Sequence, residues 1–126
     1  MRFTVVCSTR NEGPFLAEWV AWYRTLGFTD IIVVTNDCTD HSPQMLDLMA
    51  AHGLVTHLRH EVPDCQQITA RKLAAAKALP QVAEADWVLV CDVDEFLVIH
   101  RGAGRITDLV ADDADFLGMS INWKVF

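Results

Sequence analysis

The sequence predicts a doubly wound α/β sheet. Four short apolar runs, rich in β-branched residues, lie at residues 3–7, 31–34, 54–58 and 87–91. Between them lie stretches whose apolar residues recur at helical spacing. The runs at 31–34 and 87–91 are apolar at every position, as expected of strands covered on both faces, and such strands alternating with helices argue for a parallel sheet. Right-handed crossovers then place helices on both faces.

The elements follow in order. The run at 3–7 stops at the polar cluster Ser8, Thr9, Arg10, Asn11 and Glu12. Pro14 suits a first helical position; Leu16, Trp19, Val20 and Tyr23 give one helix face, and Gly27 closes it. A second strand is expected at 31–34, then a polar turn at 35–41. Ser42 is the expected N-cap with Pro43 behind it. Met45, Leu46, Leu48 and Met49 supply the next face, which Gly53 ends. The third strand, 54–58, is more polar and belongs nearer the sheet edge. An Ala-rich helix is expected over 66–79, stopped by Pro80, and the fourth strand over 87–91, apolar on both faces. Beyond Asp94 the rhythm loosens: a short strand at 97–99, a short helix at 106–110 and a last strand at 116–123 are expected.

The chain has 126 residues, the size of a single domain spanning 1–126. Apolar residues make up 52% of it, enough for a core, which excludes a disordered chain. The net charge of −7 argues against a nucleic-acid partner. No apolar run approaches the ~20 residues of a membrane span, and no long apolar stretch follows the first residues as in a signal peptide. Cys7, Cys38, Cys65 and Cys91 form no close pair, so reduced thiols and a cytoplasmic location are expected, with peripheral contact to a membrane left open.

In an open parallel sheet, ligands bind beyond the carboxyl ends of the strands. There the sequence places Thr9, Arg10, Asn11 and Glu12, then Asn36, Asp37, Thr39 and Asp40, then Asp92, Asp94 and Glu95. The sharpest element is Asp92-Val93-Asp94-Glu95. Three carboxylates in four positions after a buried-type strand repel one another unless a cation intervenes, and hard oxygen ligands suit Mg²⁺ or Mn²⁺. The rival reading is a solvated acidic turn. Arg10, Arg71 and Lys72 are cations within reach of a phosphate at this rim, or simply solvated. Trp19, Trp22 and Tyr23 at helical spacing read as core rather than as a stacking platform. The five histidines, among them His57 and His60, read as surface residues rather than zinc ligands. The four cysteines are too widely spread for one tetrahedral ion, and Cys7 and Cys91 read as small buried hydrophobes.

Three segments together resemble a known family. Residues 8–19, STRNEGPFLAEW, resemble the "KNEGPFLxEW" opening of a branch of the family 2 glycosyltransferases. Residues 36–42, NDCTDHS, resemble its "NDSTDGS" turn, and residues 85–97, ADWVLVCDVDEFL, its "ADWVLxxDxDEFL" segment. The resemblance implies a GT-A fold, a Rossmann-like nucleotide-binding sheet, of which this chain is the N-terminal half. It implies transfer of a sugar from a nucleotide diphosphate sugar to an acceptor hydroxyl, assisted by Mn²⁺ or Mg²⁺. It maps the nucleotide loop onto Thr9, Arg10, Asn11 and Glu12, the base and ribose contacts onto Asn36 and Asp37, and a diphosphate contact onto Arg71. Asp94 then binds the metal, and Asp92 binds the ribose or the metal's water shell.

Cys38 and His41 depart from the family's Ser and Gly. The family's catalytic base comes from a later half, so it is expected beyond Phe126, and the chain is expected to be a piece of something longer. Two alternatives stay open: a non-catalytic sugar-nucleotide-binding module, and a haloacid dehalogenase-like phosphatase, which an apolar strand followed by D-x-D also resembles. Met119, Ile121, Trp123, Val125 and Phe126 form an apolar stripe on the last segment. Self-association through that strand is expected.

Overall fold

The computed structural model describes residues 1–61, 67–110 and 117–125. Its elements are β1 (Phe3–Thr9), α1 (Gly13–Leu26), β2 (Asp30–Thr35), α2 (Ser42–Ala51), β3 (Thr56–Arg59), α3 (Ile68–Lys77), α4 (Pro80–Ala83), β4 (Trp87–Val90) and α5 (Ile106–Leu109). The four strands form one sheet in the order β3-β2-β1-β4, and every pairing is parallel. This is the expected α/β, Rossmann-like architecture. The chain steps from β1 outward to β3, then returns to the far side of β1. The strand order therefore reverses between β1 and β4, and in open α/β sheets ligands bind beyond the carboxyl ends at such a switch point.

Alternate residues of the central strands feed two cores. Phe3, Val5 and Cys7 of β1, with Ile31 and Val33 of β2, pack on Leu16, Trp19, Val20 and Tyr23 of α1 and Leu46 of α2. On the other face Val6, Ile32 and Val34 meet Ala76 of α3, with Leu73, Leu79 and Val82 around them. Gly27, at φ 96°, closes α1: its N–H donates to the Arg24 carbonyl, and that of Phe28 to the Tyr23 carbonyl.

Several boundaries differ from the expectation, each for a physical reason. β1 runs two residues further, because Ser8 and Thr9 pair with Val34 and Thr35; Thr9 is thus a buried strand end, not a loop residue. Ser42 is the first helical residue of α2 and not its cap, since the Asp40 carboxylate takes the Ser42 N–H. Of the four residues expected on the α2 face, Leu46 is fully buried and Leu48 points outward. β3 is shifted to Thr56–Arg59 and lies at the sheet edge as expected. The Ala-rich helix is α3, which ends at Lys77; Pro80 opens α4 as its first residue, preceded by extended Leu79. Gln66 lies outside the described residues.

β4 is not buried on both faces. Trp87 and Leu89 pack on the α1 core, but Val88 and Val90 are exposed on the other side, where α3 packs on β1 and β2. No strand forms at 97–99, nor over the described part of the last expected strand, residues 117–123; Phe116 lies outside the described residues. The short helix at 106–109 does form. Among the described residues, no helix is long and apolar enough to cross a membrane.

Cys7 and Cys91 are buried as expected, although Cys7 lies inside β1 and not at its end. Burial pushes the Cys7 thiol well above its ordinary range and Cys91 up to about 11. Both stay protonated at neutral pH, and only the thiolate is an efficient nucleophile. Cys65 lies outside the described residues. In the native chain, iodoacetamide at pH 8 should label Cys38 well ahead of Cys7 and Cys91, and unfolding in guanidinium should level the three. Peptide mass spectrometry reads the result, and rapid native labelling of Cys7 would contradict the packing of β1.

Candidate functional site

The carboxyl ends of β1, β2 and β4 bring the expected rim residues to one edge of the sheet. The acidic turn leaves β4 beside β1, since Val90 pairs with Val6 and the Cys91 N–H donates to the Val6 carbonyl. Its backbone is fastened by the polar ends of three aromatic residues of α1. Trp19 Nε1 donates to the Asp92 carbonyl at 3.1 Å, Tyr23 Oη to the Glu95 carbonyl at 3.0 Å, and Trp22 Nε1 to the Leu97 carbonyl at 2.9 Å. Tyr23 Oη also accepts from the Leu97 N–H and the Cys91 thiol. Burial and the Cys91 contact push the Tyr23 phenol well above its ordinary range, so it remains a donor. Trp19 and Tyr23 are core residues as expected, whereas Trp22 is partly exposed, edge-on to Phe96.

The three carboxylates of this turn do different things. Glu95 Oε2 accepts the Asp92 N–H at 2.8 Å and so closes the turn from within. Asp92 and Asp94 are exposed, and among the described residues neither carboxylate takes a hydrogen bond or an ion pair. No group of three or more His, Cys, Asp or Glu side chains arranged to hold a metal occurs among the described residues. Two exposed carboxylates are still a donor set of the kind that Mg²⁺ takes, which is one or two carboxylates completed by phosphates and water.

The loops after β1 and β2 interlock. Asn11 Oδ1 accepts the backbone N–H groups of Thr39 (2.7 Å) and Asp40 (3.2 Å), and Asn11 Nδ2 donates to Thr39 Oγ1. In return Asp40 Oδ2 accepts the Gly13 N–H that opens α1, while Asp40 Oδ1 accepts the Ser42 N–H that opens α2. Arg10 reaches across to the Asp37 carbonyl and carboxylate, and Thr9 Oγ1 donates to Glu12 at 2.5 Å. Asn11 and Asp37 both sit in the left-handed region, at φ 57° and 49°, where Asn and Asp are the better-tolerated non-glycine residues. Thr9, Arg10, Asn11, Glu12 and Asp37 thus lie together as expected, and buried Asn36 sits at the base of the second loop.

The α3 cations divide. Arg71 is exposed, while Lys72 is 4% exposed and its Nζ donates to the Thr9 carbonyl at 3.2 Å. Spacing alone does not distinguish two adjacent cations; the choice comes from the register of α3, which turns Lys72 and Ala76 toward the sheet. His57 corrects the expectation of a surface residue. Its ring is buried between Thr35 Oγ1 (2.8 Å to Nε2) and Asp47 Oδ1 (2.7 Å to Nδ1), and so supports the end of β2.

No family model matches the chain, and no curated protein matches it. Solved chains resemble it, two of them as follows. One is S. aureus TarS, at 19% identity and a TM-score of 0.55, covering 76% of this chain and 17% of that one. The other is residues 1–349 of S. aureus TarS, at 17% identity and a TM-score of 0.49, covering 76% of this chain and 28% of that one. The chain therefore spans under a third of either structure's length. What the first likeness establishes is the fold, the α/β Rossmann-like sheet.

Asp40 carries the test of the interlock. Removing its carboxylate orphans the first N–H of two helices, so Asp40→Ala should cost about 2 kcal/mol of stability in urea unfolding. The Ser42 hydroxyl and N–H, with the Gly13 N–H, hold the Asp40 carboxyl below its ordinary range against the opposing effect of burial. A lowered folded-state pKa gives stability that is present above the ordinary carboxylate range and lost as pH falls through the folded pKa. The stability gap between wild type and Asp40→Asn should accordingly be full at pH 7 and shrink on acidification below about pH 4. A gap that does not change with pH would refute this.

Proposed function

We propose that the chain is a nucleotide-sugar-binding module of a glycosyltransferase, taking a nucleotide diphosphate sugar in the crevice between the carboxyl ends of β1 and β4. The observation that carries the reading is the acidic turn. Asp92 and Asp94 are exposed at a topological switch point, with no carboxylate partner among the described residues, on a backbone that three aromatic donors hold in place. The three sequence segments of the family resemblance converge on that edge, and the fold is shared with a much longer solved structure.

In this reading Asp94 is the principal ligand of Mn²⁺ or Mg²⁺, and Asp92 serves the metal or the ribose. The bound ion would supply positive charge for the diphosphate as the leaving group. The first loop, Thr9 to Glu12, borders the nucleotide, and Asn36 and Asp37 face its base and ribose. Arg10 holds the two loops together through Asp37, which keeps the nucleotide edge a single rigid surface. Trp19, Trp22 and Tyr23 keep the Asp92 and Asp94 carboxylates from drifting when a cation draws them together. Binding is the part assigned to this chain; sugar transfer belongs to the whole enzyme with its acceptor site. The phosphatase alternative gains nothing from the structure, because the acidic turn follows an edge strand and the buried lysine reaches a main-chain carbonyl and not Asp92.

Calorimetry with UDP, GDP, CDP and ADP in Mn²⁺ tests the reading. At least one should bind wild type, with affinity reduced by about tenfold or more in EDTA and in Asp94→Ala, as loss of a charge-assisted contact predicts. Equal affinity with and without metal would overturn the metal role, and binding of none of the four would overturn the donor site.

Self-association through the last segment is also proposed, although residues 117–125 form no strand. Met119, Ile121, Trp123 and Val125 are exposed there. Light scattering should show an apparent mass rising with concentration, and Trp123→Lys should reduce it; an invariant monomer in wild type would contradict it.

A further inference from the structure

The segment after the acidic turn lies along α1 and carries a strip of exposed side chains. Trp22 Nε1 donates to the Leu97 carbonyl and Arg105 Nη1 to the Thr25 carbonyl, so both ends of residues 97–105 are fastened to the later part of that helix. Leu97 is buried and Ile99 packs on the α1 core, while Phe96, Val98 and His100 are exposed. That alternation, as in an extended chain, turns the latter three outward on one side. Val98 is 56% exposed, and Phe96 meets the partly exposed Trp22 edge-on at 6.0 Å, which carries the apolar strip onto α1.

The strip ends in a cationic loop of fixed shape. Residues 100–105 hold one His, two Arg and no acidic residue, in a chain whose net charge is −7. Arg101 and Arg105 are exposed, and among the described residues neither guanidinium is in an ion pair. Asp108 Oδ2 accepts the N–H groups of Ala103 and Arg105, each at 2.9 Å, and a Cβ at Gly102, where φ is 57°, would run into that carboxylate. The loop backbone is thus held from within, and binding need not first order it. At the other end of the strip, Asp94 and Glu18 are exposed carboxylates. Charge therefore runs from acidic at the turn, through an apolar middle, to cationic at the loop.

We propose that this strip docks on an anionic phospholipid surface. Arg101 and Arg105 meet the headgroup phosphates, and Phe96, Val98 and Trp22 enter the boundary between headgroups and acyl chains, where aromatic side chains are favoured. A lipid surface fits the strip better than a folded protein does. Protein interfaces pair their polar groups, at about one hydrogen bond per 100–200 Å². Here the indole N–H of Trp22 is already spent on the Leu97 carbonyl, and Phe96 and Val98 have no polar side-chain atoms to offer. Hydrocarbon requires none. Asp94 and Glu18, of like charge to the headgroups, tilt the contact toward the 100–105 end and keep the acidic turn at its margin. The docking face does not depend on donor binding, because none of its residues is assigned to the nucleotide or the metal.

The test is co-sedimentation of the full chain with vesicles of phosphatidylcholine, with and without phosphatidylglycerol, at low and high salt. Wild type should bind the vesicles that contain phosphatidylglycerol, and less so as salt screens the headgroups. Arg101→Glu reverses one exposed charge and should weaken that binding about tenfold or more. Val98→Ser should weaken it as well, at both salt concentrations, by removing apolar area from the strip. Both positions are exposed, so both variants should keep the thermal unfolding of wild type. Failure of wild type to bind, equal binding to the two kinds of vesicle, or undiminished binding by Arg101→Glu would overturn the proposal. Binding that Trp123→Lys abolishes while Arg101→Glu and Val98→Ser leave it intact would move the contact to the last segment and overturn it too. A lipid-free rise in apparent mass that Val98→Ser removes, with no vesicle binding, would make the strip a protein interface instead.

Discussion

The exchange of hydrogen-bond acceptors between the first two βα loops is the constraint on which the rest of this edge depends. A helix begins with N–H groups that have no partner inside it. α1 and α2 both begin at the carboxyl edge of the sheet, and neither has a side-chain cap from its own N-cap residue. One carboxylate, Asp40, serves both, while Asn11 accepts the N–H groups of Thr39 and Asp40. Each loop is therefore complete only in the presence of the other. Gly13 allows the close approach: a Cβ there would lie 3.1 Å from Asp40 Oδ2 and 3.3 Å from Ser42 Oγ, tighter than ordinary contact. Because the two loops form one body, any residue they present to a ligand is held in register with every other.

The charged groups at this edge fall into two sets on the same logic. Thr9, Arg10, Glu12 and Asp37 satisfy one another, so their charges are spent on holding the loops. Among the described residues Asp92 and Asp94 have no partner for their carboxylates, because the backbone of the acidic turn is held by indole and phenol groups and by the Glu95 carboxylate. Exposed carboxylates repel one another only weakly, through the high dielectric of water. In the proposed donor site a ligand that displaced that water would strengthen their hold on a cation, since the same charges would then act through a poorer screen.

The fold was largely legible because its signals are local. Apolar runs, Pro14 and Pro43 at helix starts and Gly27 at a helix end each report on their own neighbourhood, and β1, α1, β2 and the edge position of β3 follow from them. What was not legible depends on distant partners. Val88 and Val90 read as buried because strand periodicity cannot reveal that the covering helices lie over other strands. Ser42 looks like a cap until Asp40 is seen to do the capping. His57 looks like a surface residue until Thr35 and Asp47, neither adjacent in sequence, enclose it. The candidate site is intermediate: its residues follow motifs and strand ends, but which cation of α3 turns inward depends on a helical register that adjacent residues cannot disclose.

The aromatic residues of α1 explain why a reading confined to core or ligand misses part of their role. Spacing marks Leu16, Trp19, Val20 and Tyr23 as a buried face, and they are one. Yet a buried indole or phenol still needs a hydrogen-bond partner, and on this helix the partners are carbonyls of residues 92–97. That segment forms no regular helix or strand, so it has no ladder of its own to fix its shape. A phenylalanine at each of the three positions would fill similar space but leave those carbonyls unheld. The choice of Trp and Tyr thus converts packing energy of the core into positional order at the edge. It lets an irregular turn present two exposed carboxylates, neither of which anchors it among the described residues.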